Sequence, residues 1–452
     1  MRAAAIACLF FALAWARPVR AGTSALVLVT VDTLRADYLG LYGQTQPTSP
    51  TLDALAGESV VFDRALSTCP ATAPSVAAML TGHHRATNGV ARNGRSLPAD
   101  VTTLAEVLRA DGFRTGAVVA NQILHDAGFE QGFERFILAR PDAGRRELFR
   151  DAPLLKEAGR LLREFAGERF FLWLHLMAPH GPYQPPRQYL PLMPAAEFRR
   201  PQDRTLMVSH NNRGPMLLPR YQALGGPVVP AEYRRRYAAE IRYADDLLGA
   251  LIGRMRRLGV WDEALFVVTA DHGESLGEHE LWFQHGWYVY DDSVRVPLLV
   301  RAPGRDFASR RIGASISLVD LMPTLLELVA VAAPAGLEGD TLVPLMAGET
   351  ADRPAYVQNY YDNDLVALSV GRWKYIRRRS APREELFDVA ADPGEIRNLA
   401  GERPDVLRRF ASQTTEWLDD QRARAGVARA GRIPRPIAPQ KADALRALGY
   451  AD

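Results

Sequence analysis

Only two cysteines occur in 452 residues, so no disulfide framework holds this chain together. Long hydrophobic runs are missing too: the longest, from Ala3 to Ala16, falls short of the roughly 20 residues that cross a bilayer comfortably. There is no excess charge of one sign, since 55 Lys and Arg stand against 52 Asp and Glu. Arg2, Arg17 and Arg20 lie in a segment read below as a leader, and without them 52 of each sign remain. A neutral mature chain argues against nucleic acid as a partner. Repeats of 20 to 50 residues and low-complexity tracts are absent, which excludes solenoids and arrays. What is present, 47% hydrophobic and 24% charged residues, is an ordinary globular composition. The length suits a large α/β domain with a smaller one behind it.

Residues 1–21 combine a basic start at Arg2, the apolar run and a small-residue site at Val19-Arg20-Ala21. This is the pattern of a secretory signal peptide, so the mature protein is expected in the periplasm or secreted, with no stable membrane span after cleavage. Cys8 leaves with the leader. Cys69 then stands alone and forms no intramolecular disulfide.

Apolar segments alternate with amphipathic ones, which predicts a mostly parallel sheet flanked by helices. The expected strands are Leu26 to Val31, Thr115 to Ala120, Phe170 to Leu176, Leu265 to Thr269 and Val296 to Arg301. Ser49-Pro50 marks one helix start, and Thr103 with Glu106 forms a capping box for a helix that Gly112 ends. Ala231 to Leu258 and Leu318 to Val329 are further helices. Pro179 to Pro230 is rich in Pro and Arg without periodicity, and reads as an irregular excursion over the sheet. After about Thr350 the pattern turns to short strands, Leu365 to Val370, Trp373 to Arg377 and Glu385 to Asp388, with a helix near Lys441 to Leu448. The expected organisation is a leader over 1–21, a catalytic domain over 22–350 and a small α+β subdomain over 351–452.

Ligand sites in open α/β sheets form at the carboxyl ends of strands, so the polar residues that stop each strand matter most. The first strand runs into Asp32, and Leu265 to Ala270 runs into Asp271-His272-Gly273-Glu274. Carboxylate, carboxylate and imidazole make a mixed oxygen and nitrogen set suited to a divalent cation. Asp32 alone would serve equally as a helix N-cap. In Thr68-Cys69-Pro70-Ala71-Thr72-Ala73-Pro74-Ser75, Pro74 fits the first turn of a helix running to about Leu80. Thr72 then falls just ahead of it, at the end with free N–H groups and positive dipole, either facing an anion or merely capping the helix.

These stretches together resemble the sulfatase family of the alkaline-phosphatase-like superfamily: Val29-Thr30-Val31-Asp32-Thr33-Leu34-Arg35-Ala36-Asp37, Thr72-Ala73-Pro74-Ser75 closing with Leu80-Thr81-Gly82, and Thr269-Ala270-Asp271-His272-Gly273-Glu274. Phe170 to His175 leading to Pro179-His180-Gly181-Pro182-Tyr183, Arg295 to Val300, and Trp373-Lys374-Tyr375 followed by Glu385-Leu386-Phe387-Asp388 match in the same order. The resemblance implies an alkaline-phosphatase-like fold and one divalent metal held by Asp32, Asp271, His272 and the nucleophile's oxygen. It favours Ca²⁺, while the ligand chemistry also admits Mn²⁺, Mg²⁺ or Zn²⁺.

In sulfatases of the family the nucleophile is a formylglycine made from a cysteine in Cys-x-Pro-Ser-Arg. Here Thr72 stands in the cysteine's place and Val76 in the arginine's, and Cys69 comes three residues early. Formylglycine is therefore not expected, and Cys69 reads as a small buried side chain. A formylglycine hydrate expels sulfate by collapsing to the aldehyde, a route closed to threonine, whereas a phosphothreonine opens by a second in-line displacement by water or an alcohol. A phosphate ester, mono- or diester, is thus expected over a sulfate ester. Threonine-bearing relatives in the superfamily include phosphotransferases and phosphodiesterases.

By the same resemblance His180 sits where a general acid protonates the leaving oxygen. His285 falls near the place where relatives keep a Lys or His on the anion. His175, inward on an apolar strand, reads as a core residue or one supporting a ligand. Asn93 either donates to a non-bridging oxygen or marks an Asn-Gly turn. Arg35 either neutralises the anion or pairs with Asp37. His279, Asp245 and Asp246 would be needed for a second metal, but one ion is expected, the two aspartates being surface or capping groups on their helix. The expected substrate is an anionic ester with a sugar, lipid head group or aromatic leaving group, sorted by the excursion through Tyr183, Arg187, Tyr189, His210 and Arg213. Two rival readings are an arylsulfatase-like enzyme and a non-catalytic protein of the same fold that binds an anionic glycan or lipid.

Overall fold

The computed structural model describes residues 25–139, 151–209, 217–305, 307, 309–361, 364–380 and 383–429. In order, the first half contains β1 (Ala25–Val31), α1 (Pro50–Ala56), β2 (Val60–Leu66), α2 (Thr72–Thr81), α3 (Arg85–Asn88), α4 (Leu104–Ala110), β3 (Arg114–Val119), β4 (Arg135–Leu138), α5 (Ala152–Glu164) and β5 (Phe170–Leu176). There follow α6 (Pro230–Arg257), β6 (Ala264–Ala270), β7 (Ser275–Leu276), β8 (Trp282–Gln284), α7 (Asp291–Val294), β9 (Arg295–Arg301), β10 (Arg311–Ser317), α8 (Leu321–Leu328) and α9 (Val343–Ala347). The last elements are β11 (Ala355–Gln358), β12 (Leu365–Val370), β13 (Trp373–Arg378), β14 (Glu384–Asp388) and α10 (Pro404–Arg429).

Eight strands form the main sheet in the order β10-β2-β9-β6-β1-β5-β3-β4. All neighbours pair parallel except β9, which is antiparallel to both β2 and β6. Every residue of β1, β5 and β6 is buried, which is why these strands read as unbroken apolar runs: helices cover both faces. The pairing register sets up the site. Val31 lies opposite Leu176 on one side and Ala270 on the other, so the next residues of three strands emerge side by side.

Local chemistry explains the helices. The Thr103 side chain accepts from Glu106 N while the Glu106 carboxylate accepts from Thr103 N, the expected capping box. Ser49 does not cap α1. Asp245 of α6 does so instead, accepting from Thr51 N at 2.8 Å and Leu52 N at 2.9 Å. Asp245 is therefore a capping group, and Asp246 accepts from Tyr189 and Arg242.

The excursion after β5 carries short 3-10 turns at Arg187–Leu192, Ala195–Phe198 and Arg220–Gln222. His210 and Arg213 lie outside the described residues. The second sheet is an antiparallel meander, β11-β12-β13-β14. Leu368, Tyr375 and Leu386 pack one face against Val406 and Phe410 of α10. The other face packs on Leu66, Val289 and Val294 of the main body, where buried Lys374 bridges Asp291 at 2.7 Å and Glu395 at 2.8 Å. Sequence pattern alone did not reveal β11 or α10. The expected leader and the helix near Lys441 to Leu448 fall outside the described residues. No described helix is long and apolar enough to cross a membrane.

Candidate active site

Asp32 leaves β1 and Asp271 leaves β6 at matched register positions, and both are fully buried. Asp32 Oδ2 accepts from Asn121 Nδ2 at 2.8 Å, whereas its Oδ1 has no hydrogen-bond partner. Asp271 Oδ1 accepts from Thr33 N at 3.1 Å and His272 N at 2.8 Å, whereas its Oδ2 has none. His272 Nδ1 lies 2.8 Å from the Gly273 carbonyl. A carbonyl only accepts, so the proton sits on Nδ1 and Nε2 presents a lone pair. That Nε2 lies 3.8 Å from Asp32 Oδ1 and 3.6 Å from Asp271 Oδ2, with no partner of its own.

Thr72 is the first residue of α2 rather than the residue before it, and its buried hydroxyl is also without a partner. The helix end is held by two contacts. Asn93 Oδ1 accepts from Ala73 N at 2.9 Å, and Ser75 Oγ donates to the Asp271 carbonyl at 2.6 Å. Asn93 Nδ2 has no partner. The Asn-Gly turn is present as well, with Gly94 at φ +83.

Four buried atoms without partners, Asp32 Oδ1, Thr72 Oγ1, Asp271 Oδ2 and His272 Nε2, are thus contributed by the four residues expected to hold a metal. Buried polar atoms are rarely left unpaired. The electrostatics agree. Burial and the neighbouring Asp32 charge push Asp271 well above the usual carboxylate range. Burial opposes ionisation of Asp32 too, yet its pKa is lowered by coupling to the titration of His180, by a hydrogen bond from His175 and, more weakly, by His272, so Asp32 and these rings compete for protons. Burial, reinforced by His285, keeps His272 neutral. A divalent cation resolves the conflict between two adjacent buried carboxylates, and the donor set fits one.

Asp32, His175 and Asp271 also offer ligand atoms within 4.8 Å of one another. His175 is nevertheless committed elsewhere. Trp173 Nε1 donates to Thr30 Oγ1 at 3.0 Å, and that hydroxyl faces His175 Nδ1 at 2.7 Å. Its Nε2 is 3.4 Å from Asp32 Oδ2, the oxygen that also faces Asn121, so His175 supports Asp32 from behind.

His180 lies four residues past the end of β5, with Nδ1 2.8 Å from the Gly181 carbonyl. Burial lowers its pKa, offset in part by Asp32, so the ring is neutral in the ligand-free site. To serve as an acid it must take up a proton together with the anionic ester, whose charge favours the imidazolium. His285 places its ring centroid 4.5 Å from that of His272 and 5.4 Å from that of His180. Its Nδ1 lies 3.1 Å from Oε1 of fully buried Glu274.

Of the two readings of Arg35, the pairing with Asp37 is present. Its Nε and Nη2 donate to both oxygens of Asp37, and Nη1 reaches the Glu274 carbonyl and Glu278, both at 3.0 Å. Four of five donors are spent on the protein, so the guanidinium braces the hairpin after His272. His279 stacks on Tyr290 at a centroid distance of 3.6 Å and is not among the residues that converge on Asp32. Cys69 is buried and its thiol is pushed up to about 11 by desolvation, which makes it unreactive near neutral pH.

Sequence reasoning missed two members of the site. Asn121 follows β3 by two residues, and the strand-end criterion applied to that strand would have found it. Glu274 lay within the quoted run, but its pairing with His285 left no local signal. Gly273, between His272 and Glu274, is obligatory, because a Cβ there would lie 2.2 Å from the Asp292 carbonyl oxygen.

A mostly parallel sheet with a hydroxyl at a helix N-terminus facing carboxylates and an imidazole at strand ends defines an ester hydrolase of the alkaline-phosphatase-like superfamily. The chain belongs to the sulfatase family, whose model matches residues 24–331, and the model for the N-sulphoglucosamine sulphohydrolase C-terminal region matches 277–422. It is 27% identical over 411 residues to an ulvan-active sulfatase of Formosa agariphila, covering 83% of this chain and 77% of that one. It is 28% identical over 405 residues to a choline-sulfatase of Rhizobium meliloti, covering 78% and 77%. The fold is shared with a phosphonate monoester hydrolase of Agrobacterium radiobacter at TM-score 0.71 and 22% identity, over 89% of this chain and 96% of that one. Family membership sets aside the reading of a non-catalytic binding protein.

Proposed function

We propose that this hydrolase cleaves phosphate esters, mono- or diesters, with Thr72 as nucleophile and one divalent cation held by Asp32, Asp271, His272 and the Thr72 hydroxyl. The convergence of four unpartnered buried atoms on those residues carries the reading. When bound, the cation would acidify the threonine hydroxyl and neutralise the ester's oxygens. Ca²⁺ is the favoured ion, with Mn²⁺, Mg²⁺ and Zn²⁺ also compatible with the donors.

Thr72 gives its hydroxyl proton to solvent as Oγ attacks phosphorus in line, the bond to the leaving alkoxide breaks, and His180 in its protonated form supplies the leaving oxygen's proton, to be recharged by the proton that the attacking water releases in the second step. Asn93 Nδ2 and His285, whose ring lies beside those of His272 and His180, contact the non-bridging oxygens. Water then attacks the phosphothreonine, the P–Oγ bond breaks, and Thr72 regains its proton. An alcohol in place of water makes the second step a phosphotransfer. The expected location is the periplasm or the exterior.

A second reading is sulfate-ester hydrolysis, favoured by the sulfatase names of the ulvan-active and choline-specific relatives. The test is a rate comparison of the purified mature chain on p-nitrophenyl sulfate, phosphate monoester, phosphodiester and phenylphosphonate, with Thr72→Ala in parallel. Turnover of a phosphorus ester that vanishes in the variant supports the first reading. Sulfate as the best substrate, with activity retained in Thr72→Ala, would overturn both the ester preference and the nucleophile.

A further inference from the structure

The turn that carries His180 is held by a carboxylate from another part of the chain. β5 ends at Leu176, whose carbonyl accepts from Asp32 N at 3.0 Å. There the backbone leaves the ladder, and the next two N–H groups donate to Asp151: Met177 N to Oδ1 at 2.8 Å and Ala178 N to Oδ2 at 2.9 Å. His180 N then donates to the Met177 carbonyl at 2.8 Å, which closes the turn and fixes the point from which the imidazole starts. Asp151, Met177, Ala178 and His180 are all buried.

Asp151 stands at the N-cap position of α5, where an aspartate ordinarily accepts from N–H groups of its own first turn. It makes no such bond, and both its oxygens go to the end of β5 instead. Burial opposes its ionisation, the two N–H groups favour it, and the charge of Asp32 opposes it again, so the carboxylate lies within electrostatic reach of the catalytic centre. Its own place is firm: α5 buries Leu154, Ala158, Leu161 and Leu162, and Arg254 of α6 donates to the Leu155 carbonyl at 2.8 Å. The excursion bounds the same turn. A Cβ on Gly181 would lie 2.0 Å from Gln222 Nε2, and the Tyr221 ring centroid is 6.3 Å from that of His180.

We propose that Asp151 is a positioning residue for proton delivery: by binding Met177 N and Ala178 N it sets the backbone from which His180 reaches the leaving oxygen. Asp151 touches no reacting atom and acts through His180 alone. This rests on the reading of His180 as the general acid. Displacing a catalytic group by about 1 Å costs on the order of a hundredfold in rate, and releasing two adjacent N–H groups at the root of the turn lets the ring move.

Proton delivery matters most for a basic leaving group, so the test is the kcat/KM ratio of p-nitrophenyl to phenyl phosphate, with p-nitrophenyl and phenyl sulfate alongside. The full mature chain is compared with Asp151→Asn, Asp151→Ala, His180→Ala and the double variant Asp151→Asn/His180→Ala. Asp151→Asn has the shape of the native residue and keeps one acceptor, so the ratio can be read even where the alanine variant unfolds. Asp151→Asn is expected to slow the phenyl ester about tenfold more than the p-nitrophenyl ester, in kcat rather than KM, with a larger effect in Asp151→Ala and the largest in His180→Ala. Added to His180→Ala, Asp151→Asn is expected to leave the ratio unchanged. A merely structural role slows both esters equally. Turnover confined to the sulfates refutes the phosphate preference, and the ratio is then read on the sulfate pair. A ratio moved by His180→Ala but not by Asp151→Asn overturns the proposal, as does an Asp151→Asn effect on the ratio that persists in full without His180. A ratio that His180→Ala leaves unmoved refutes the acid and the proposal together.

Discussion

Replacing Asp271 by Asn should separate the metal-free from the metal-bound enzyme by the sign of its effect. In the metal-free protein Asp32 and Asp271 are buried neighbours whose ligand atoms lie within 4.8 Å. At an effective dielectric of about 20, two charges at that separation repel by about 3 kcal/mol. Holding a proton on Asp271 instead carries a comparable cost, because the unfolded chain ionises it at neutral pH. Asn keeps an oxygen for the bonds from Thr33 N and His272 N and places an amide group toward Asp32 Oδ1. The melting entropy of a 452-residue chain is about 0.9 kcal/mol/K, so relief of 3 kcal/mol raises Tm by about 3 °C in chelator. The wild type gains about 4 kcal/mol, or about 4 °C, from an ion at a thousandfold excess over its Kd, whereas the variant gains far less. Differential scanning calorimetry with EDTA, then with Ca²⁺ or Mn²⁺, reads both numbers. A variant less stable than wild type in EDTA, yet stabilised by the ion to the same extent, would refute the assignment of Asp271 as a ligand.

Three further outcomes are expected. Burial raises Asp151 to about 7 even though the Met177 and Ala178 N–H groups stabilise its charged form. The native state therefore binds more protons than the unfolded chain between about pH 4 and 7, and stability falls across that window by up to about 4 kcal/mol. Asp151→Asn should lose this slope, so its stability relative to wild type should rise from pH 4.5 to 7.5; a constant difference in melts would contradict the cause given. Cys69→Ala should retain turnover and cost about 1 kcal/mol, and a thiol reagent should label wild type only after unfolding, whereas loss of activity would implicate a converted cysteine. Gly273→Ala drives a Cβ against the Asp292 carbonyl and should cost about 1–3 kcal/mol together with the ion-dependent gain in Tm. Wild-type melting behaviour with the ion would show that the turn after His272 tolerates a side chain.

Much of the fold was legible because its signals are local. β1, β3, β5, β6 and β9 lie within one residue of their expected bounds, since strands buried on both faces read as apolar runs ended by polar residues. Other elements carried no such signal. In β2 the pair Asp63-Arg64 breaks the apolar run, and in α10 the buried Val406, Phe410 and Leu418 are sparse among charged residues. Each is stabilised by a surface supplied from distant chain. The direction of β9 was equally hidden, because burial looks the same in parallel and antiparallel strands.

The sequence by itself determined which polar residues stand where strands stop, and hence that carboxylates, an imidazole and a helix-end hydroxyl were available at one edge of a sheet. Periodicity and capping act over a few residues, so they can be read from a few residues. Only the tertiary structure decided which of these groups meet. The Val31 to Ala270 register joins Asp32 to Asp271, and Asn121 rather than a backbone group takes the second oxygen of Asp32. Arg35 is drawn to Asp37 and Glu278, and Glu274 is turned onto His285. These choices rest on burial and charge pairing between segments far apart in the chain, where a polar atom's partner is whichever group the packing leaves beside it.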